Sequence, residues 1–552
     1  MDRNPQKLDQ LRVGRSELEN HVIDEFLTGH INRREFLRRG SILGLSIPVL
    51  SGILAACGNA NSSSSASSTG AHTSAGTLKI ASTVPAAAVN PITVEDEGGL
   101  TMLQQTGEYL VLDNPQTFQV NPVLATSWTP NSDGTEWTFK LRPNVKFHNG
   151  KMMTADDVVW TFQQQADPTG KGNALSVFTG LLTPDGVSKV DDSTVKFSLE
   201  AATGSFPYLI SSDNYNCIIV PKGTDFDTWQ QNFIGTGPLK YKSYTAKQGA
   251  NFVANPHWWN GPVGPTAVEW TFYESQPAQV LALQGGQVDM INDIAYQGAQ
   301  ALFNSPKYKI LDNHTSQHRE LSMRCDKPPF NDNRVRQAIA LTLDRPAIAS
   351  ALFSKYAQIG NDSPFAPIFP STDKSVPQRV QDIPKAKQLL AAAGHPNGFK
   401  ATLYTEQYQE LPNLAQIVKE SASKIGVDIT INVSDQNTYY SDWWLTGEMS
   451  LVDYGHRGVP NVFLNATLTT KGSWNAAHFS DPTYDKLYAQ YAAAVDLDTQ
   501  RKIAGQIETL LLDQTPIIIP YFFDELSAST PNISGVVTTG MGQMFTGKAY
   551  RT

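Results

Sequence analysis

Cysteine is scarce in this chain, which has only three among its 552 residues, at positions 57, 217 and 325. So few cysteines exclude a disulfide-built scaffold, and no Cys-x-x-Cys pair is present to form a common structural zinc site. We expect Cys217 and Cys325 to be two separate buried thiols, although an oxidising compartment would also permit them to pair. Basic residues are also few, since 43 Lys and Arg stand against 52 Asp and Glu and the net charge is −9. This acidity argues against a nucleic-acid partner, because phosphate binding needs clustered Lys and Arg.

The sequence also lacks the short motifs of the common catalytic classes. It contains no Gly-x-Ser-x-Gly elbow, no phosphate-binding loop and no dinucleotide fingerprint after a strand. His314 and His318 have i, i+4 spacing, but their segment is not convincingly helical and lacks the glutamate of a His-Glu-x-x-His motif. We therefore expect no catalytic residue, no metal site and no cofactor. An extracytoplasmic hydrolase remains the rival interpretation, to be tested by measuring turnover.

The apolar stretch at residues 40–56 is too short, and too interrupted by glycine and proline, to span a bilayer comfortably. It follows the pair Arg33 and Arg34 and ends in Leu-Ala-Ala-Cys at Cys57. A positive region, an apolar core and small residues before a cleavage point are typical of an export signal. The arginine pair resembles a twin-arginine signal, and Leu-Ala-Ala-Cys resembles a bacterial lipobox whose cysteine is acylated. We predict an export signal at 1–56 and lipidation at Cys57; an uncleaved anchor is the alternative.

Residues 57–76 are rich in serine and have little to bury, so we predict a flexible tether. Beyond it, segments that alternate with period two are interleaved with segments of helical periodicity, which predicts an α/β protein. The clearest predicted strands are 77–81, 136–141, 193–199 and 267–272. The predicted helices are 155–164, 276–285, 334–353, 386–393, 482–495 and 498–512.

Four separated blocks carry a resemblance to a known family. They lie at 122–158, 235–262, 282–289 and 329–345. The first block includes Trp-Thr-Phe-Lys-Leu-Arg and Val-Lys-Phe-His-Asn-Gly. The second includes Gly-Thr-Gly-Pro and Asn-Pro-His-Trp-Trp-Asn-Gly-Pro. A weaker fifth block lies at 482–485 and 513–518. In order and spacing they resemble the family 5 extracellular solute-binding proteins, the dipeptide, oligopeptide and nickel receptors of ABC importers. The resemblance covers residues 77 to about 535.

This resemblance implies a two-lobed periplasmic-binding-protein fold of the clamp-like class II, with an extra α+β domain. Lobe I is then expected at 77–116, 233–320 and 515–552, the extra domain at 117–232 and lobe II at 321–514. Gly235 and Gly237 form a sharp chain reversal and are the hinge candidates, with an ordinary tight turn as the alternative. Such a receptor closes on its ligand like a clamp.

The resemblance also points to one loop in particular. Relatives that take peptides hold the peptide's amino terminus with an aspartate in a Gly-Asp-Asn-Gly-Asp-Pro segment, which matches Gly-His-Arg-Gly-Val-Pro at 455–460. His456 and Arg457 thus replace the aspartate, and a neutral or anionic ligand gains weight because arginine suits carboxylates and sugar hydroxyls. Asp453 supplies the missing charge if the register shifts. In the alternative interpretation, His456 and Arg457 only hold the loop together.

Five aromatic side chains complete the predicted ligand-binding set. They are Tyr109, Tyr296, Trp443, Trp444 and Trp474, and for each tryptophan core packing is an equally open interpretation. Together these features predict a monomeric lipoprotein on the extracytoplasmic face of the bacterial cell membrane, working with the permease and ATPase subunits of an ABC importer. The expected ligand is a peptide. The alternatives are a sugar or another small polar or anionic compound, or a sensor lipoprotein without a transport role.

Overall fold

The computed structural model describes residues 73–552, and these form one compact unit. The predictions made for the export signal, for Arg33 and Arg34, for Cys57 and for most of the tether lie outside the described residues. Within 73–552, no helix has the length and hydropathy needed to cross a membrane. Cys217 and Cys325 are both free thiols, so the prediction of two separate thiols is confirmed. Burial is confirmed for Cys217 but was wrong for Cys325, which is partly exposed.

The first of three main sheets is mixed and has seven strands. Strand Gly76–Thr83 lies near its centre and runs parallel to both of its neighbours, while the other pairs are antiparallel. The spatial order is Lys309–Asn313, Glu525–Ser529, Met290–Ile291, Gly76–Thr83, Pro265–Tyr273, Gly249–Ala254 and Leu239–Thr245. The sheet therefore combines segments from both ends of the described chain, as expected for a discontinuous lobe.

The second sheet is also mixed and is built from a later part of the chain. Its spatial order is Ala357–Ile359, Tyr521–Phe523, His318–Met323, Met449–Tyr454, Lys400–Glu406 and Asp428–Ser434, with Ile517–Ile518 paired to His318–Met323. Strand Lys400–Glu406 runs parallel to both of its neighbours. Open α/β sheets bind ligands at the carboxyl ends of their parallel strands. The carboxyl end of strand Lys400–Glu406 is followed directly by the loop at 408–410.

The third sheet is antiparallel and forms the additional domain. Its order is Ala125–Pro130, Glu136–Leu141, Thr194–Ser198 and Val187–Asp191. Three small sheets complete the described strands: Thr73–Ser74, Tyr550–Arg551 and Ile533–Ser534; Val537–Thr538 and Met544–Phe545; Val111–Asp113 and Val120–Pro122. Buried residues of the first and third sheets, such as Ile80 and Phe139, share one continuous hydrophobic core, whereas Leu403 of the second sheet belongs to a separate core.

Helices pack between and around these sheets. The α-helices are Glu97–Thr106, Ala155–Gln165, Leu175–Phe178, Phe206–Leu209, Gln276–Gln284, Gln300–Phe303, Asn333–Ala340, Arg345–Phe353, Ile383–Ala392, Leu411–Ser423, Gln436–Thr438, Asn461–Ala466, Pro482–Ala493 and Leu497–Gln514, with 3-10 turns at Pro184–Gly186 and Phe226–Gln231 and a π turn at Tyr439–Trp443. The prediction of one continuous helix at 334–353 is wrong, because this segment forms the two helices Asn333–Ala340 and Arg345–Phe353. Asp344 caps the second helix, and Pro346 lacks the N–H that would be needed to continue the first.

The chain passes between the first and second sheets twice, at residues 314–317 and at Asp524. The two crossings lie side by side, since the Thr315 hydroxyl donates to the Phe523 carbonyl at 2.6 Å. Strand pairing thus differs from the predicted lobe ranges: His318 to Glu320, expected in lobe I, lie in the second sheet, and so do Ile517–Ile518 and Tyr521–Phe523. Sequence blocks alone do not reveal which sheet a short strand joins.

Gly235 and Gly237 do not lie at either crossing. A Cβ built on Gly235 would lie 2.1 Å from the carbonyl oxygen of Thr106, and the Gly237 N–H donates to the same oxygen at 2.8 Å. Glycine is needed here because two backbones approach closely. Since the flanking first and third sheets share one core, a rotation at this point would disrupt packing, so these glycines do not serve as a hinge between the two larger sheets.

Much of the second sequence block, at 235–262, provides hydrogen-bond donors to one buried carboxylate. Glu108 accepts hydrogen bonds of 2.8–2.9 Å from the side chains of Thr236, Trp258 and Trp259. Burial raises the pKa of Glu108 to about 7, and these three donors oppose the increase. The Gly-Thr-Gly-Pro and Asn-Pro-His-Trp-Trp motifs therefore act in the architecture of the first lobe.

Candidate functional site

A cavity of about 430 Å³ opens between the two larger sheets and is called the interlobe cavity below. From the side of the first sheet it is lined by residues near the start of helix Glu97–Thr106, by segment 293–297 and by the turn at 540–542. The loops at 408–410 and 455–457 line it from the side of the second sheet, and residues 523–526 of the second crossing lie between. A solute in this cavity would therefore contact both lobes and the crossing that joins them.

Carboxyl groups dominate the wall on the first lobe. Asp293 and Glu525 hydrogen-bond to each other, and Glu97 accepts from the Asn292 amide at 3.0 Å. Burial raises the pKa of Glu97 to about 8 and that of Glu525 to about 7, and repulsion between neighbouring carboxylates adds to both. Burial likewise holds the pKa of Asp293 well above its usual range. This wall therefore holds protons near neutral pH that a bound cation would displace.

Arg457 supplies the positive charge of the opposite wall. Its guanidinium donates to the His456 carbonyl at 2.7 Å, and no carboxylate of the described residues lies within ion-pair distance of it. Ser316 of the first crossing holds this loop, because its hydroxyl donates to the Arg457 carbonyl at 2.7 Å and accepts from the Arg457 N–H at 2.8 Å. The guanidinium is partly buried and feels Asp213 only through a longer-range attraction, so its remaining donors are available for an anionic group of a ligand.

The loop at 408–410 is fixed by a buried arginine beneath it. Arg319 donates to Glu410 Oε1 at 2.7 Å and to the Gln409 side chain at 2.6 Å, and both charged side chains are about fully buried. The guanidinium also lies 4.5 Å from the centre of the Phe523 ring at the second crossing. Arg319 therefore positions cavity-lining residues of both the loop and the crossing without itself lining the cavity.

Asp113, Asp213 and His456 bring three possible metal-ligand atoms within 4.8 Å of one another. The histidine does not suit a metal, because its Nδ1 accepts the backbone N–H of Ser316 at 3.0 Å. The ring proton must then lie on Nε2, whereas a metal-bound histidine donates from its other nitrogen. Burial also lowers the pKa of His456 to about 3, so the ring is neutral. The group is better described as a close contact between residues 113 and 213 and the loop at 455–457 of the second lobe.

Three of the eight predicted ligand-binding residues line the interlobe cavity. They are Tyr296, His456 and Arg457. Tyr109 does not line it: its ring is buried, and its hydroxyl donates to the Tyr215 carbonyl at 2.9 Å and accepts from Gln543 at 3.2 Å. Tyr109 therefore helps to build the first lobe.

The other four predicted residues belong to an aromatic and acidic group beside the cavity. Trp443 stacks on Tyr404 with ring centres 4.5 Å apart, Trp474 stacks on Tyr454 at 5.9 Å, and Trp444 packs edge-on against Tyr440 at 5.3 Å. Asp453 accepts from the Tyr440 hydroxyl at 3.0 Å. These contacts agree with the packing alternative for the tryptophans and give Asp453 a partner within its own lobe.

The histidines at 314 and 318 do not share a helical face. His314 lies in the first crossing, where its Nδ1 is 2.9 Å from Asp524 Oδ1, and His318 begins a strand of the second sheet. Four further cavity-lining acids were not predicted from the sequence, because they come from three separate parts of the chain: Glu97, Asp293, and the adjacent Asp524 and Glu525. The only local signal was position, since Glu97 begins a helix and the other three are adjacent to strands.

Two sheets joined by two crossings, with a solute-sized cavity between them, define the class of two-lobed solute-binding proteins. The sequence model of the bacterial extracellular solute-binding proteins, family 5 (middle region), matches residues 119–475. The chain belongs to this family, as the sequence blocks predicted.

Named relatives and solved structures agree with this assignment. The chain is 27% identical over 470 residues to heme-binding protein A of Haemophilus influenzae, covering 80% of this chain and 85% of that protein. It is 24% identical to the dipeptide-binding protein DppE of Bacillus subtilis, covering 76% and 82%. The structure of HbpA2 from Haemophilus parasuis superposes with a TM-score of 0.78 at 23% identity, covering 86% and 100%. The unliganded open form of the murein tripeptide-binding protein MppA gives 0.75 at 22%, covering 87% and 99%. The predicted two-lobed α/β fold is confirmed.

Proposed function

We propose that this protein captures a short peptide in the interlobe cavity and delivers it to the permease of an ABC importer. The observation that carries the proposal is the charge division of the cavity, with carboxyl groups on the first lobe and the Arg457 guanidinium on the second. A peptide with free ends carries both an ammonium and a carboxylate, and so complements the two walls. We assign ligand binding to this cavity and no catalytic step.

The relatives support this class of ligand. DppE of Bacillus subtilis is named for dipeptides, and two further relatives are named for glutathione and for murein peptide. Heme-binding protein A is named for heme, whose carboxylates would also find a suitable contact in Arg457. The peptide is preferred because the carboxyl groups of this wall offer no positive charge to a ligand that carries only negative charge.

Affinity-selection mass spectrometry with the full chain tests the proposal. The protein is incubated with a mixed tripeptide pool, separated from free peptide and analysed under native conditions. We expect retained tripeptides at one per protein molecule, displaced by excess unlabelled pool. If no tripeptide is retained while a discrete compound of another class remains bound from the expression host, peptide capture is wrong and that compound defines the ligand.

We further propose that the chain is exported through the twin-arginine route guided by Arg33 and Arg34, and held at the membrane as a monomer by a lipid on Cys57. The support is the Leu-Ala-Ala-Cys sequence and its position ahead of the serine-rich tether.

Replacing Cys57 with serine is expected to move the protein from the membrane fraction to the soluble fraction or to leave it unprocessed. The measurement is membrane fractionation with mass determination of the amino terminus, and Ser63→Ala in the tether serves as the matched control. Unchanged processing and unchanged membrane attachment in Cys57→Ser would refute lipidation.

A further inference from the structure

Asp524 occupies an unusual position at the second crossing. It is the single residue between strand Tyr521–Phe523 of the second sheet and strand Glu525–Ser529 of the first. Its side chain is 1% exposed and lines the interlobe cavity. A group bound to Asp524 would therefore contact the point at which the two lobes are joined.

The Asp524 carboxylate is only half satisfied. Oδ1 accepts from His314 Nδ1 of the first crossing at 2.9 Å, but Oδ2 is buried and has no hydrogen-bond partner in residues 73–552. A buried acceptor without a donor is costly, and native proteins rarely retain one without a reason. A donor that enters the cavity would satisfy Oδ2.

The surroundings of Asp524 favour a cationic donor. Glu97, Asp293 and Glu525 line the same cavity, and none of these carboxyls forms an ion pair with a described lysine or arginine. Gly542 lies between two of them, since a Cβ built there would be 3.6 Å from Glu525 Oε1 and from Glu97 Cγ. The charged groups facing this site from neighbouring elements are His314, Asp312, Asp96, Glu95 and the Arg319–Glu410 pair.

We propose that the protonated amino group of the ligand binds at the second crossing, donating to Asp524 Oδ2 beside the Glu97, Asp293 and Glu525 carboxyls. This inference rests on the proposed function and deepens it. The amino group is then recognised by the first lobe and the crossing, while the loop at 455–460 is left to bind the opposite end of the ligand. An ammonium at Asp524 is also linked to the first crossing through this carboxylate, because His314 holds its other oxygen.

The site predicts a definite pH dependence. In the free protein burial keeps protons on Glu97 and Glu525, whose pKa values lie at about 8 and about 7. A bound ammonium lowers both pKa values, so binding releases protons and the affinity increases as the pH rises from 6 to 8. Isothermal titration in two buffers of different ionisation enthalpy measures this release in the unmodified protein.

The decisive experiment compares two tripeptide pools, one with free amino ends and one N-acetylated, in the same affinity selection. We expect at least a tenfold preference for the free pool in the wild type. Asp524→Asn keeps the acceptor for His314 but presents an amide donor to the cavity, and should bind the free pool about 10- to 100-fold more weakly. Asp185→Asn, an exposed acid in the 3-10 turn Pro184–Gly186 that does not line the cavity, is the matched charge control and should behave as wild type.

Equal retention of both pools, or affinity that falls between pH 6 and 8, would overturn the amino-group assignment and leave peptide capture intact. Loss of the free-pool preference in Asp185→Asn but not in Asp524→Asn would also overturn it. If neither pool is retained by the wild type, the proposed function itself fails and the assignment falls with it.

Discussion

Replacing Arg319 with methionine is expected to destabilise the protein by about 3–5 kcal/mol, because the substitution leaves the Glu410 carboxylate buried without its partner. The two side chains are 2% and 1% exposed, and the Tyr521 hydroxyl at 3.1 Å is the other hydrogen-bond partner of Glu410 Oε1. The uncompensated charge should release the loop at 408–410 and weaken peptide binding as well. Urea unfolding measures the first effect and titration calorimetry the second.

Arg334→Met is the matched control for this substitution. Arg334 forms an equally short ion pair of 2.6 Å with Asp332, but on the surface of the second lobe. Solvent screens such pairs, so no measurable loss of stability is expected. Equal unfolding midpoints for Arg319→Met and wild type would mean that Glu410 is satisfied in another way, and the account of the loop would be wrong.

Replacing Arg457 with alanine is expected to weaken binding of the selected tripeptide about 10- to 100-fold. A charge-assisted hydrogen bond to a carboxylate in a largely desolvated site contributes about 1.5–3 kcal/mol. The loss should be confined to peptides with a free carboxylate, so a C-terminally amidated pool should bind wild type and Arg457→Ala alike. Titration calorimetry with both pools measures the difference.

Arg457→Lys separates charge from geometry, because lysine retains the charge but not the planar fork. We expect an intermediate affinity from this variant. Arg334→Ala, which removes a surface arginine of the same lobe, should leave binding unchanged. If Arg457→Ala and His456→Ala both retain wild-type affinity, the placement of the carboxylate subsite is wrong.

Most of the architecture follows from local sequence. The helix predicted at 155–164 is confirmed, and Thr154 with Asp157 forms the capping box that starts helix Ala155–Gln165. The predicted strand at 136–141 is confirmed, because Trp137, Phe139 and Leu141 point to one buried face. The lobe boundaries were less predictable, since the short strands at 517–518 and 521–523 join the second sheet through long-range pairing that no local pattern encodes.

The cavity was harder to predict than the fold. His456 and Arg457 were found because they interrupt a recognisable loop, and Tyr296 because of its position after a strand. The acidic wall unites Glu97, Asp293 and Glu525, and each of these residues alone has the ordinary appearance of a helix start or a strand end. These three carboxyl groups are buried together in one cavity wall only when the crossings bring the two sheets together. The tryptophans were misleading because large aromatic rings suit a core as well as a binding surface.

Hydrogen–deuterium exchange of the full chain, with and without a saturating tripeptide pool, tests most directly whether the ligand lies between the lobes. The account predicts slower exchange at 293–297 and 523–526 on one side and at 408–410 and 455–457 on the other. Segment 439–444, which contains Trp443, should change little. Protection confined to the tryptophan group, or to one lobe alone, would contradict capture in the interlobe cavity.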